Sequence, residues 1–332
     1  MSDYILNPHY AADDVTQEPI RAGFGRGLKA AGERNESVVA LCADLTDSTQ
    51  MSKFRDAFPG RFVEVGVAEQ NLVTVASGMA RAGKIPFTSS YAAFSPGRNW
   101  EQIRTTIALN DMPVKIVGSH AGISVGPDGA THQMLEDIAL MRVLPNMIVV
   151  APGDSLEAER ATIALAGNGK PSYIRLARDK TPVFTTETTP FELGRAYVLR
   201  QGSDVSLMGT GTMTYQLLML ARKLEAEGIS AEVVHVPTVK PLDEATILAS
   251  ASKTGRVITA EEAQIAAGFG SAVAELLSEK CPIPVKRLGM RDSYGQSGTP
   301  AELLAHYKLT SDTMLPEVIA WLRKVPQYKP GF

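Results

Sequence analysis

Short apolar runs alternate along this chain with stretches in which apolar residues recur every three or four positions. That alternation predicts mainly parallel sheets covered by helices on both faces, an α/β architecture. In the first part, strands are expected at 38–42, 62–65, 85–89, 114–118, 148–150 and 172–175. Helices are expected between them at 19–32, 69–82, 98–109 and 155–166. The pair Asp154-Ser155, following Pro152-Gly153, is placed to cap the last of these.

Periodicity then fails between 180 and 203, where threonines crowd beside Pro182 and Pro190. This stretch reads as a linker. A second alternation follows, with strands at 204–208, 231–236 and 256–259 and helices at 213–227, 243–251 and 270–280. The expected organisation is a first domain over 14–180, a linker over 181–203 and a smaller α/β domain over 204–327.

Composition narrows the function. With 332 residues, 44% hydrophobic and 21% charged, the chain can bury two cores of ordinary size. A net charge of −3 and scattered basic residues give no long-range attraction for nucleic acid. Cys42 and Cys281 lie far apart and lack metal-ligand spacing, so neither a disulfide framework nor a protein-held metal is expected. No apolar run approaches the roughly 20 residues of a membrane span, and a cytoplasmic protein is expected.

Four segments could carry chemistry. Glu69 stands in Val65-Gly66-Val67-Ala68-Glu69-Gln70-Asn71, where a strand turns into a helix. An acid there could hydrogen-bond a ligand from a dry pocket, or could simply favour the unpaired N–H groups and dipole of the helix start. Tyr91 and Phe94 follow a strand, at the sheet edge where open α/β folds bind ligands. They could form a stacking platform, or face a core at helical spacing. The loop Gly118-Ser119-His120-Ala121-Gly122-Ile123-Ser124-Val125-Gly126-Pro127-Asp128-Gly129-Ala130-Thr131-His132 brings two of the five histidines after a strand end. Each could hold or relay a proton near neutral pH. Arg21, Ser48 and Arg178 complete a candidate anion clamp, although any one arginine could equally be surface charge. Gly209-Thr210-Gly211 is not a dinucleotide fingerprint, since Thr214 occupies the third glycine position.

Taken together and in order, these segments resemble the transketolase family of thiamine diphosphate enzymes, over its carboxyl-terminal two-thirds. Asp44-Leu45-Thr46 is similar to the family's Ala-Asp-Leu-Thr segment, and 65–71 to its Gly-(Ile/Val)-Ala-Glu-Gln signature. Arg98-Asn99-Trp100-Glu101-Gln102-Ile103-Arg104 resembles an Arg-aromatic-acid-Gln-Ile-Arg stretch, and the 118–132 loop resembles Gly-Ser-His…Gly-Glu-Asp-Gly. In the second half, 236–243 and 259–273 resemble the family's carboxyl-terminal domain.

The resemblance implies roles. Glu69 would bond a ring nitrogen of the cofactor's aminopyrimidine and so start catalysis, with Tyr91 and Phe94 holding that ring and Asp44 lining the cofactor cleft. Arg21, Ser48, His120 and Arg178 would face a substrate phosphate, Asp128 would read a hydroxyl, and His132 would lie near the reacting carbonyl. The reaction implied is transfer of a two-carbon ketol unit from a ketose, in phosphorylated form, to an aldose. Pro127 and Ala130 depart from the usual glutamate and proline, which implies a loop reshaped around an unusual sugar.

One segment of the family pattern is missing. The chain has no Gly-Asp-Gly with a downstream asparagine, the element that holds a divalent ion and the diphosphate. The resemblance therefore implies the carboxyl-terminal subunit of a split transketolase. Thiamine diphosphate would be completed by Mg²⁺ or Ca²⁺ held on a separate amino-terminal chain of about 280 residues, the two assembling as a heterotetramer. Alternatives are the β-type subunit of a 2-oxo acid decarboxylating or deoxyxylulose phosphate synthase-like enzyme, or a non-catalytic stabilising subunit.

Overall fold

A computed structural model describes residues 5–328. Two mainly parallel sheets with helices on both faces make up the molecule, as the alternation predicts. The first has seven strands, ordered Thr238–Lys240, Ile148–Val150, Ser172–Arg175, Lys115–Ser119, Ile85–Tyr91, Val38–Cys42 and Phe62–Glu64. All but Thr238–Lys240 are parallel to their neighbours. Val38–Cys42 is buried at every residue, which is what a continuous apolar run becomes when helices cover both faces, and Ser172–Arg175 is buried throughout as well.

The second sheet is ordered Val285–Met290, Val257–Gln264, Val205–Gly209, Ala231–His235 and Tyr197–Arg200, the last pairing antiparallel. The two sheets are not independent. Leu41, Ile116 and Tyr173 of the first share one buried cluster with Met208, Val234 and Val257 of the second. Thr238–Lys240, expected to belong with the second domain, leaves it to become an antiparallel edge of the first sheet beside Ile148–Val150.

The stretch expected to be a linker is structured. Lys180–Pro182 pairs antiparallel with Gln17–Pro19, and Tyr197–Arg200 closes the edge of the second sheet. Its threonines are not a free tether, because a buried carboxylate organises them. Asp154 Oδ2 accepts the N–H groups of Phe184 and Thr185 at 2.9 and 2.7 Å, while Oδ1 accepts Glu157 N–H and caps the helix Ser155–Gly167. The cap read from sequence is present, and it also docks the interdomain segment.

The helix expected at 98–109 is a short α turn, Trp100–Gln102, followed by a π-helical segment, Ile103–Ala108. Thr105 and Thr106 donate their hydroxyls to Glu101 O and Gln102 O, which diverts those carbonyls from the ordinary ladder. Two later helices, Pro300–His306 and Ser311–Lys324, and the strand Val285–Met290 lie beyond the elements expected from periodicity. Both helices begin with reciprocal capping boxes, Thr299 with Glu302 and Thr310 with Thr313.

The helix Ile20–Arg34 is seated by two glycines. A Cβ on Gly23 would fall 1.7 Å from Ser155 O, and one on Gly27 would fall 2.6 Å from Glu159 O. Bare backbone there lets the helix lie against Ser155–Gly167, and this close approach delivers Arg21 to the carboxyl edge of the sheet.

Candidate active site at the carboxyl edge of the first sheet

Parallel register brings five strand ends to one edge. Cys42 is level with Ser89 and Glu64, Tyr91 with Ser119, and Gly118 with Arg175. Segments far apart in sequence, beginning near residues 44, 66, 92, 120 and 176, therefore leave the sheet side by side. The strand expected to stop at 89 continues through Tyr91, because Ser90 and Tyr91 still find partners in Gly118 and Ser119.

The side chain of Glu69 is only 2% exposed at the start of the helix Glu69–Arg81. The helix-dipole reading alone would leave such an acid in water. Here its Oε2 accepts Nη1 of Arg98 at 3.0 Å, and its backbone carbonyl accepts Nδ2 of Asn99 at 2.8 Å. The guanidinium of Arg98 also lies 5.2 Å from the centre of the Phe94 ring. Arg98 thus joins the buried acid to the aromatic pair, a link the separate motifs did not announce.

The aromatic side chains form a row. Tyr91 stacks on His120 with centroids 3.8 Å apart, and Phe94 lies 6.2 Å from Tyr91 at an interplanar angle of 15°. His132 stands edge-on to Phe94 at 5.4 Å and to Tyr91 at 6.3 Å. Tyr91 and Phe94 therefore face each other and the two histidines rather than the packed interior.

His120 is buried and adopts a left-handed backbone at φ +56°, which costs about 1–2 kcal/mol for a residue with a Cβ. Burial, reinforced by the nearby Arg21, Arg178 and His132, pushes its pKa down to about 3. The imidazole is neutral at physiological pH, with Nδ1 2.9 Å from the Ser119 hydroxyl. His132 makes the equivalent contact with Thr131, also at 2.9 Å.

Beside this row the structure brings together the three residues of the candidate clamp. Arg21 donates Nε to Arg178 O at 3.1 Å and Nη1 to Ser48 O at 2.6 Å. Arg178 donates Nη1 to Val125 O at 2.6 Å and lies 3.8 Å from Asp128 Oδ2. Ser48 joins through its backbone oxygen. Asp44 is drawn elsewhere, into a cleft of about 370 Å³ that it lines with Leu45, Thr46, Asp47, Ser48, Arg55 and Glu64. Glu64, unmarked in the sequence reading, accepts the N–H groups of Asp44 and Gly66 on Oε1, at 2.7 and 3.0 Å. It ties the Asp44 turn to the turn that leads into Glu69.

With this geometry in view, comparison with known proteins identifies the fold. Residues 17–183 match the family model for the transketolase pyrimidine binding domain, and 194–314 match that for the transketolase C-terminal domain. The chain belongs to the transketolase family. It is 42% identical over 279 residues to the 6-deoxy-6-sulfo-D-fructose transketolase subunit SqwH of a Clostridium species, covering 84% of this chain and 87% of that one. It is 40% identical over 308 residues to a putative transketolase C-terminal section of Methanocaldococcus jannaschii, covering 92% and 96%. Among solved structures it resembles a split gene transketolase in an inactive β4 tetramer, with a TM-score of 0.87, 44% identity and coverage of 93% and 99%.

Thiamine diphosphate is the cofactor of this family. An aminopyrimidine needs a dry acceptor and a ring to lie against, and Glu69 with the Tyr91–Phe94 pair fits that need. The side-chain oxygens of Thr88, Ser89, Ser90 and Asn99 are buried nearby in sequence without partners among the described residues. The divalent ion that accompanies the diphosphate does not fit as well. Among the described residues, no group of three or more His, Cys, Asp or Glu could hold a metal.

Proposed function

We propose that this chain is the carboxyl-terminal subunit of a split transketolase, in which Glu69 holds the aminopyrimidine of thiamine diphosphate and a partner chain grips its diphosphate through Mg²⁺ or Ca²⁺. The supporting observation is the buried Glu69 carboxylate joined through Arg98 to Phe94, at the edge of the aromatic row. Thiamine diphosphate, when bound, supplies the electron sink that lets a carbon–carbon bond of a ketose break. The chain's own residues do the rest.

Glu69 bonds a ring nitrogen of the aminopyrimidine, and its burial protects that bond from competing water. Tyr91 and Phe94 orient the ring. Arg21 and Arg178 give the adjoining space a positive field suited to a phosphate, and neutral His120 offers it a hydrogen bond without adding charge. Asp128, held near Arg178, would take a sugar hydroxyl, and His132, edge-on to Phe94, would hold or move a proton at the substrate oxygen. Asp44, whose turn Glu64 ties to the turn leading into Glu69, would line the approach to the cofactor.

The similar split-gene transketolase, an inactive β4 tetramer, supports a separate partner chain and a heterotetramer as the active form. No helix among the described residues is long and apolar enough to cross a membrane, which is compatible with a cytoplasmic assembly. The testing experiment mixes this chain with a chain bearing the diphosphate-binding domain, thiamine diphosphate and Mg²⁺, and offers xylulose 5-phosphate with ribose 5-phosphate. Ketol transfer by the mixture is expected. Release of carbon dioxide from pyruvate without ketol transfer would favour the 2-oxo acid or deoxyxylulose phosphate synthase-like reading instead.

A further inference from the structure

The second domain supplies none of the candidate site residues, yet it adds restraints to the loop between His120 and His132. Glu262, in the strand Val257–Gln264 of the second sheet, is 2% exposed. Its Oε1 accepts the backbone N–H of Ser124 at 2.6 Å, and its Oε2 accepts the Thr212 hydroxyl at 2.9 Å. Such bonds to a carboxylate are roughly twice as strong as neutral ones. The backbone oxygen of Glu262 accepts Nη2 of Arg175 at 2.7 Å, and Arg175 donates Nε to buried Asp137 at 2.9 Å. Gly122 leaves the room this requires, because a Cβ there would sit 2.4 Å from Glu262 Oε1.

Further contacts come from the same side. Gln133 Nε2 donates to Ile123 O and Gly126 O within the loop and to Gln296 O of the second domain, at 3.3, 3.1 and 3.0 Å. A Cβ on Gly126 would lie 3.1 Å from Pro300, and one on Gly129 would lie 2.8 Å from Ser297 Oγ. Gly122, Gly126 and Gly129 all stand at positive φ, so the loop's own turns rest on glycine freedom and the contacts from the second domain add to them. Ser124 sits midway between His120 and Asp128. The next residue, Val125, offers the carbonyl that receives Arg178.

We infer that Glu262 is a positioning residue for substrate recognition: anchored in the C-terminal domain, it holds the Ser124 turn so that His120, Asp128 and Arg178 meet the sugar phosphate in one arrangement. The inference rests on the sugar-phosphate role given to that loop under Proposed function. Through Glu262 the C-terminal domain takes part in substrate binding while staying out of the chemistry.

Hydrogen exchange on the isolated chain tests the clamp without any substrate. In Glu262→Ala, amides 122–126 are expected to exchange about tenfold faster or more, with the helix Glu69–Arg81 unchanged. In the reconstituted enzyme, the KM for ribose 5-phosphate is expected to rise about tenfold, with kcat within about threefold and thiamine diphosphate affinity by calorimetry unaltered. Glu262→Gln keeps an acceptor for Ser124 and should restore most of the KM. Wild-type loop exchange and KM in Glu262→Ala would overturn the inference, and so would a loss confined to kcat. If Glu262→Ala weakens protection throughout the chain, Thr212→Val decides by the same two readings, with a smaller rise expected and unchanged values overturning the idea. A wild-type mixture that transfers no ketol unit sinks the functional reading alone, and loop exchange still judges the clamp.

Discussion

Arg98 Nη1 lies 3.0 Å from Glu69 Oε2 and pairs a guanidinium that is 54% exposed with a carboxylate that is 2% exposed. The asymmetry has a function in this account. A carboxyl group that must meet a ring nitrogen has to be kept dry and fixed in place, and Arg98 holds its outer oxygen while resting on Phe94. Glu69→Ala is expected to leave the fold intact and to lower turnover in the reconstituted enzyme by about 10²–10⁴, the worth of a positioned acid–base group. Arg98→Ala is expected to cost on the order of 1 kcal/mol in denaturant unfolding, because solvent already screens the arginine. Unchanged turnover in Glu69→Ala would make the stabilising-subunit reading the better one.

Seating of the Gly23 helix makes a second prediction. Gly23→Ala would thrust a methyl group into Ser155 O, so the helix Ile20–Arg34 must shift and carry Arg21 with it. A loss of about 1–3 kcal/mol is expected from overpacking, together with weaker binding of the phosphorylated substrate. Full stability and unchanged KM in this variant would show that Arg21 is not placed by that contact.

A buried pair joins the two domains. His235 Nε2 lies 2.7 Å from Glu157 Oε2, His235 Nδ1 lies 2.7 Å from Thr214 Oγ1, and His235 and Glu157 are fully buried. His235→Ala removes the ring that balances a buried carboxylate and is expected to cost about 3–5 kcal/mol in equilibrium unfolding. A cost near zero would mean that the shared apolar cluster and the other interdomain bonds hold the domains together without this pair.

Lys115 predicts a pH dependence. Burial pulls its pKa from the ordinary 10.5 down to about 7, with Asn168 Oδ1 and Lys170 O as its neutral acceptors. Between those two values the unfolded chain binds a proton that the folded chain has released, so stability rises with pH through the window. Below it, both states are protonated and the slope vanishes. Urea unfolding near the two ends of the window should show the rise in the native chain and lose it in Lys115→Met. Equal slopes in the two chains would contradict this reading.

Elements whose burial is written in consecutive residues were legible in the sequence, and those made by distant partners were not. Val38–Cys42 is an uninterrupted apolar run, and the structure buries all of it. Val285–Met290 carries Lys286 and Arg287 in an edge strand, where Glu317 and the carbonyl of Ile265 receive them, so its polar positions hid it. The capping boxes at Thr299 and Thr310 were readable signals that periodicity alone passed over. For the candidate site, motif residues and strand ends pointed to the sheet edge where the structure brings those residues together. The bonds from Arg98 to Glu69, from Asp44 to Glu64 and from Ser124 to Glu262 span 29, 20 and 138 residues, and no local pattern encodes them. Asp154 shows the limit from the other side: its helix cap is local and was legible, while its grip on Phe184 and Thr185 is tertiary.

The most direct test of the central claim is ketol transfer measured for this chain alone, for its mixture with a diphosphate-binding partner chain, and for the same mixture carrying Glu69→Ala, each with thiamine diphosphate and Mg²⁺. No turnover is expected of the chain alone, ketol transfer is expected of the mixture, and the variant should lose about 10²-fold or more. Turnover by the isolated chain, or a variant mixture as active as the native one, would contradict it.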